Sequence, residues 1–259
     1  MNFHDLCTVL KLTYVRDNYE QLITEARQTS QDPADFLTEL LENEYRRRME
    51  NGQNRRIHHA KFPIKKYLCD FDRAKYDEVF LPKFKELETL EFIDKKENII
   101  LIGTPGAGKS HYATALGIAA CMAGKNVFFA STSNLITEIK EAMSQNQITV
   151  FRRKFETFPL VILDELGYVS FEKQGCEMLF NLLSSRNGKG STIVTTNLTF
   201  DRWQEVFHDP TLTGALIDRL AHKAHILDIS REKGGRYEET LEWLSSNNSS
   251  VSETVSNYV

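Results

Sequence analysis

The 259-residue chain contains no apolar run near the ~20 residues that a bilayer-crossing helix requires, so no membrane span is expected. Cysteine is scarce. Cys7, Cys69, Cys121 and Cys176 lie far apart and form no zinc-type pair of motifs. Neither a disulfide framework nor a zinc site is expected, and reduced thiols in a cytoplasmic protein are. The opening Met1-Asn2-Phe3-His4-Asp5 lacks the basic stretch and apolar core of a signal peptide. A large charge of one sign is also missing. The net charge of -4 gives no global attraction for nucleic acid, so charge has to be read locally.

Read locally, the charge is uneven. Tyr19, Leu22, Ile23 and Ala26 share one face of a helix. Asp32 then reads as an N-cap with Pro33 at the first helical position, followed by an apolar stripe of Phe36, Leu37, Leu40 and Leu41. The exposed positions of residues 15–44 are acidic. From Tyr45 to Lys66 the sign reverses: eight cations (Arg46, Arg47, Arg48, Arg55, Arg56, Lys61, Lys65 and Lys66) stand against the single acid Glu50. That stretch suits contact with DNA phosphates as well as it suits a solvated helix face.

Beyond Ile99, short apolar runs alternate with helical patterns. The runs are Ile99–Ile102, Val127–Ala130, Leu160–Leu163, Thr192–Thr196 and Ile226–Ile229. This alternation predicts an α/β fold with a parallel sheet covered on both faces. Ser245 to Val259, rich in Ser and Asn, reads as a flexible tail.

Gly103-Thr104-Pro105-Gly106-Ala107-Gly108-Lys109-Ser110 fits the phosphate-loop pattern G-x-x-x-x-G-K-[ST] between an expected strand and an expected helix that begins near His111. Such glycines let backbone N–H groups face phosphates where a Cβ would intrude, and the following helix N-terminus adds positive potential. Lys109 is expected at the β- and γ-phosphates of ATP and the Ser110 hydroxyl at Mg²⁺.

Leu160-Val161-Ile162-Leu163-Asp164-Glu165 is an apolar strand that ends in two acids. Asp164 at the carboxyl edge of the sheet would hold Mg²⁺, and Glu165 would polarise the attacking water. Asn197, after the β-branched run Thr192–Thr196, reads equally as a contact to the γ-phosphate and water or as a turn residue. Spacing alone favours a surface ion pair with Asp218 for Arg219, with a transition-state arginine finger as the alternative.

Taken together, these residues resemble the AAA+ ATPases of the initiator and helicase-loader group, and within it the IstB-like transposition helper ATPases. The similarity runs to about Tyr237. Its more specific stretches are Ala60 to Leu68 with Phe71-Asp72, Leu163 to Tyr168, and Asp209 to Leu212 with Asp218-Arg219-Leu220. The resemblance implies a strand order of 5-1-4-3-2, Asn197 as the sensor beside the γ-phosphate, Arg219 as a finger reaching a neighbouring subunit, and His111 beside the nucleotide. It also implies a homo-oligomer that binds double-stranded DNA and engages a partner transposase.

The expected organisation is a helical N-terminal domain (residues 1–66), an AAA+ ATPase domain (67–240) and a tail (241–259). Few residues follow Ile229, so the helical lid of such proteins is expected to be absent or reduced, with Arg236 in doubt as a second sensor. A replicative helicase loader (DnaC-like) is the alternative function. A P-loop small-molecule kinase is a further one, against which Glu165 and Arg219 argue.

Overall fold

The computed structural model describes residues 1–168 and 172–229; the expected tail, the lid region and Arg236 lie outside the described residues. In chain order the longer elements begin with α1 (Phe3–Val9), α2 (Thr13–Thr29), α3 (Pro33–Ala60), α4 (Phe80–Glu88) and α5 (Glu91–Lys95). Strands and helices then alternate: β1 (Asn98–Ile102), α6 (Lys109–Met122), β2 (Val127–Ser131), α7 (Thr132–Ser144), α8 (Ile148–Thr157), β3 (Leu160–Leu166), α9 (Lys173–Ser184), β4 (Ser191–Thr196), α10 (Gln204–Phe207), α11 (Pro210–Ala221) and β5 (Ala224–Asp228). The chain divides into two compact units, Met1–Arg55 and Arg56 onward.

In the first unit, Cys7, Val15 and Leu40 form a small core edged by Leu12, Tyr19 and Leu22. Leu37 and Leu41, expected on the same stripe as Leu40, are exposed. A buried carboxylate does much of the remaining work. Glu44 accepts from the backbone N–H groups of Tyr14 (2.8 Å) and Val15 (3.2 Å), so a residue of α3 caps the start of α2. Arg48 donates to Glu44 (3.0 Å) and to the carbonyl of Lys11 (2.8 Å), tying the α1–α2 connection to α3.

Pro33 opens α3 as expected, with Asp32 Oδ1 accepting from Ala34 N–H (2.8 Å). The acid-to-base reversal at Tyr45 falls inside this helix rather than at its end. No breaker stops the helix there. Gly52 costs it only about 1 kcal/mol, and the next proline is Pro63.

In the second unit, five parallel strands lie in the order β2-β3-β4-β1-β5, which is the expected 5-1-4-3-2. Alternate residues of each strand face opposite layers. Ile99, Leu101 and Ile162 pack with α6 and the α4–α5 segment, including Tyr112, Phe84 and Phe92. Ile100, Ile102, Val161 and Leu163 pack toward α7, α8, α9 and α11, with Leu135, Phe155, Leu179 and Leu216. Both faces are therefore covered, as an all-parallel sheet requires. Gly117 lets α6 lie close to the sheet: a Cβ there would come within 2.6 Å of Ile162 Cδ1 and 2.8 Å of the Phe62 ring.

Cys7, Cys121 and Cys176 are buried and Cys69 is exposed, and none of the four is in a disulfide. Among the described residues, no helix is long and apolar enough to cross a membrane.

Candidate nucleotide site

The turn from β1 into α6 carries residues 103–110 at the carboxyl edge of the sheet, where ligands bind in folds of this kind. Gly106 (φ 80°) and Gly108 (φ 94°) take left-handed conformations that admit glycine at little cost. A Cβ on Gly108 would lie 2.2 Å from Tyr76 Oη. That hydroxyl donates to the Ala107 carbonyl (2.7 Å), so Tyr76 braces the loop from outside. Lys109 starts α6 and is buried. Its Nζ donates to the carbonyls of Gly103 (2.6 Å) and Thr104 (2.9 Å). Burial lowers its pKa, and the charges of Asp164, Asp228 and Glu165 oppose that shift.

The strand carrying the two acids is longer than its apolar run suggested: β3 continues through Leu166. Its pairing with β4 slips by one residue between Leu163 and Leu166, and Glu165 within that bulge sits at φ 63°. Bulges re-aim side chains beside sites, and a left-handed non-glycine residue costs about 1–3 kcal/mol. The result is a division of the two acids. Asp164 is buried and Glu165 is exposed. Asp164 Oδ1 accepts from Ser110 Oγ (2.7 Å) and from Thr195 Oγ1 (2.5 Å). Thr132, at the start of α7, donates to the Asp164 carbonyl (3.1 Å).

Thr195 was not expected at the site. Its hydroxyl donates to Asp164 and accepts from the Glu165 backbone N–H (2.9 Å), so one buried side chain of β4 fixes both acids. Its only signal in the sequence was its place two residues before Asn197, which means nothing until the β3–β4 register is known. Replacing Thr195 by valine keeps the shape but strands the Glu165 N–H, at a cost of about 1–3 kcal/mol. A Thr195→Val protein is expected to turn over ATP roughly tenfold more slowly, with a smaller change in ATP affinity. Steady-state ATPase rates and nucleotide titration check this, and an unchanged kcat would remove Thr195 from the site.

The other expected residues divide by location. Asn197 follows β4, between the strands that lead to Lys109 and Asp164. Its Oδ1 lies beside Gly167 and is buried without a partner among the described residues. His111 turns its ring against Phe71 (5.6 Å between centroids), and its pKa is lowered first by burial and then by Lys66.

Arg219 is not with them. It lies near the end of α11, beside Asn98 and Thr192, which stand at or near the starts of β1 and β4. Its guanidinium sits 4.5 Å from the Phe180 ring centroid. Lys109 follows the other end of β1, roughly 15 Å away at the rise of a strand. Arg219 cannot reach its own chain's phosphate loop.

The oxygen set at Ser110 and Asp164 fits Mg²⁺. That ion prefers hard oxygen ligands and usually takes one or two from protein, the rest coming from phosphates and water. Among the described residues, no cluster of three or more His, Cys, Asp or Glu could hold a metal ion.

Comparisons with known proteins agree with this arrangement. Residues 6–239 match the family of IstB-like ATP binding proteins. The chain is 33% identical over 227 residues to the ATP-binding protein of insertion sequence IS21 from Pseudomonas aeruginosa, covering 88% of this chain and 86% of that one. It is 30% identical over 234 residues to the IS232 ATP-binding protein of Bacillus thuringiensis, covering 83% and 94%. Among solved structures, AMPPCP-bound DnaA from Aquifex aeolicus aligns with a TM-score of 0.55 at 18% identity, over 70% of this chain and 55% of that one. DnaI aligns with a TM-score of 0.54 at 17% identity, over 63% and 90%. These two establish an AAA+ fold. With its phosphate loop and the acids beside it, the chain belongs to the IstB-like ATP-binding proteins of insertion sequences.

Proposed function

We propose that the protein is a Mg²⁺-dependent ATPase that assembles in its ATP-bound form on double-stranded DNA and engages the transposase of its element. In this reading Lys109 and the loop N–H groups of residues 103–110, with His111 nearby, hold the nucleotide. Ser110 and Asp164 hold Mg²⁺, which supplies charge neutralisation at the β- and γ-phosphates when bound. Glu165 takes the proton of the attacking water, and Asn197 orients that water.

The observation that carries the reading is the separation of Arg219 from Lys109 and Asp164. A finger on the opposite edge of the sheet has a use only when a second copy presents its nucleotide there, so hydrolysis and assembly become one event. Assembly then explains why a nucleotide switch serves a transposition helper. DNA contact is assigned to the exposed cations of α3. Arg48 and Arg56 are occupied with backbone carbonyls, whereas Arg46, Arg47 and Arg55 are exposed and make no ion pair among the described residues.

The test is binding to matched duplex and single-stranded DNA with ATP, ADP or no nucleotide, at several stated salt concentrations. Duplex binding that requires ATP and yields large assemblies is expected. Neutralising Arg46, Arg47 or Arg55 is expected to weaken binding to all sequences alike, each lowering the salt slope by about 1. Preference for single strands would favour a helicase loader, and binding indifferent to nucleotide would sink the proposal.

A further inference from the structure

Tyr76 lies outside the nucleotide motifs, in the segment between α3 and α4, yet its hydroxyl ends on the phosphate loop. Its ring is held from two sides. It stacks on Phe71 (5.1 Å between centroids, 23° between planes) and meets the Phe84 ring edge-on (5.4 Å, 75°). Phe71 and Phe84 are buried in the core that also contains Ala107 and Tyr112. Packing therefore sets the position of the hydroxyl, and the hydrogen bond it makes follows from that position.

The bond falls on one peptide unit. Tyr76 Oη donates to the Ala107 carbonyl (2.7 Å). A trans peptide is planar, and its C=O and N–H point in opposite directions. Holding the Ala107 carbonyl toward Tyr76 therefore turns the Gly108 N–H away from Tyr76. Tyr76 and the core fill the near side, so a phosphate approaches this peptide from the far one, where backbone N–H groups of such loops take it.

Gly108 itself is fitted to this contact. A Cβ there would lie 2.2 Å from Tyr76 Oη, whereas Gly106, also left-handed, has nothing within 4 Å of an added Cβ. The hydroxyl comes as near to Gly108 as the absence of a side chain permits.

Lys109 ties the same loop in a different way. Two of its donors are spent on the carbonyls of Gly103 (2.6 Å) and Thr104 (2.9 Å). An ammonium that turns to the β- and γ-phosphates has to release at least part of that tie. The bond from Tyr76 uses no group that a phosphate would claim, so it persists when the nucleotide is bound.

We infer that Tyr76 is a positioning residue for phosphate: its hydroxyl holds the peptide between Ala107 and Gly108 with the N–H turned to the nucleotide. Without the hydroxyl that peptide is freer to rotate, and part of the binding energy is consumed in ordering it. The inference rests on nucleotide binding at residues 103–110 and is independent of assembly and of DNA.

The experiment compares Tyr76→Phe with the wild type in the full chain. Phenylalanine keeps the ring between Phe71 and Phe84 and removes one oxygen. Affinities for ATP, ADP and adenosine are measured by titration, with the melting temperature of the nucleotide-free protein alongside. ATP and ADP are expected to bind about three- to tenfold more weakly, by the same factor, which is the effect of one hydrogen bond. Adenosine carries no phosphate and is expected to bind both proteins alike. A hydroxyl that only supported the fold would lower the melting temperature and leave the ratio of ADP to adenosine affinity as it was. That result, or ADP affinity equal to the wild type's, would overturn the inference.

Lys109→Ala, titrated in parallel, tests the loop assignment by itself. If it binds ATP normally, the nucleotide lies elsewhere and the role of Tyr76 falls with the loop. If it loses ATP while Tyr76→Phe binds ATP and ADP as the wild type does, the loop stands and only the role of Tyr76 is lost.

Discussion

A Glu165→Gln protein binds ATP as tightly as the wild type and hydrolyses it roughly 10²–10⁴-fold more slowly, the range expected for removing a general base. The geometry separates the two acids sharply enough to make this a clean test. Asp164 is buried and bonded to Ser110 and Thr195, so its removal would disturb the metal oxygens and the strand pairing together. Glu165 is exposed, and its visible tie to the site is a backbone bond, from its N–H to Thr195 Oγ1. The amide of glutamine keeps the size and the backbone but cannot accept a proton from water. Its left-handed conformation is as accessible to glutamine as to glutamate, so no new strain enters. Nucleotide titration and steady-state ATPase rates decide the matter. Wild-type turnover in this variant would take the base assignment away from Glu165, and lost ATP binding would show that it supports the fold of the loop instead.

The parts of the site that were legible in the sequence are those whose chemistry is local. The phosphate loop needs its glycines, Lys109 and Ser110 in one stretch of backbone, so a single window displays it. The acids follow their apolar run directly, and the five apolar runs mark the sheet because parallel strands are buried on both faces. What was not legible depends on contacts between distant segments. The bulge at Glu165 appears only when β3 is registered against β4. Thr195 is one β-branched residue among several until that register turns its hydroxyl to Asp164.

Arg186 is a sharper case. No motif marks it in the sequence, yet it is buried, with its guanidinium donating to the carbonyls of Phe155 and Ser191. The charge reversal at Tyr45 lies within one continuous helix, Pro33–Ala60, because helix continuity depends on caps and breakers rather than on the sign of the surface charge.

Mixing two inactive proteins restores ATPase activity if Arg219 serves a neighbour. Arg219→Ala alone is expected to lose about 10³–10⁵ in kcat, the range for removing an arginine finger, while still binding ATP. Glu165→Gln alone loses turnover but keeps both its nucleotide and its own Arg219. Each protein therefore still enters an assembly that depends on bound ATP. At an interface where an Arg219→Ala subunit presents ATP to a Glu165→Gln subunit, the base comes from the first and the finger from the second, and the site is complete. Random mixing at equal amounts makes about one interface in four competent, so activity should rise to roughly a quarter of wild type and vary with the ratio. The placement of Arg219 permits this outcome because it lies at the start of the strands, on the far edge from its own Lys109. A side chain that merely packed on Phe180 would give no rescue, because its loss would damage only the subunit that carries it. Activity that stays at the sum of the two parents at every ratio would therefore exclude a finger acting between copies, and with it the link between assembly and hydrolysis.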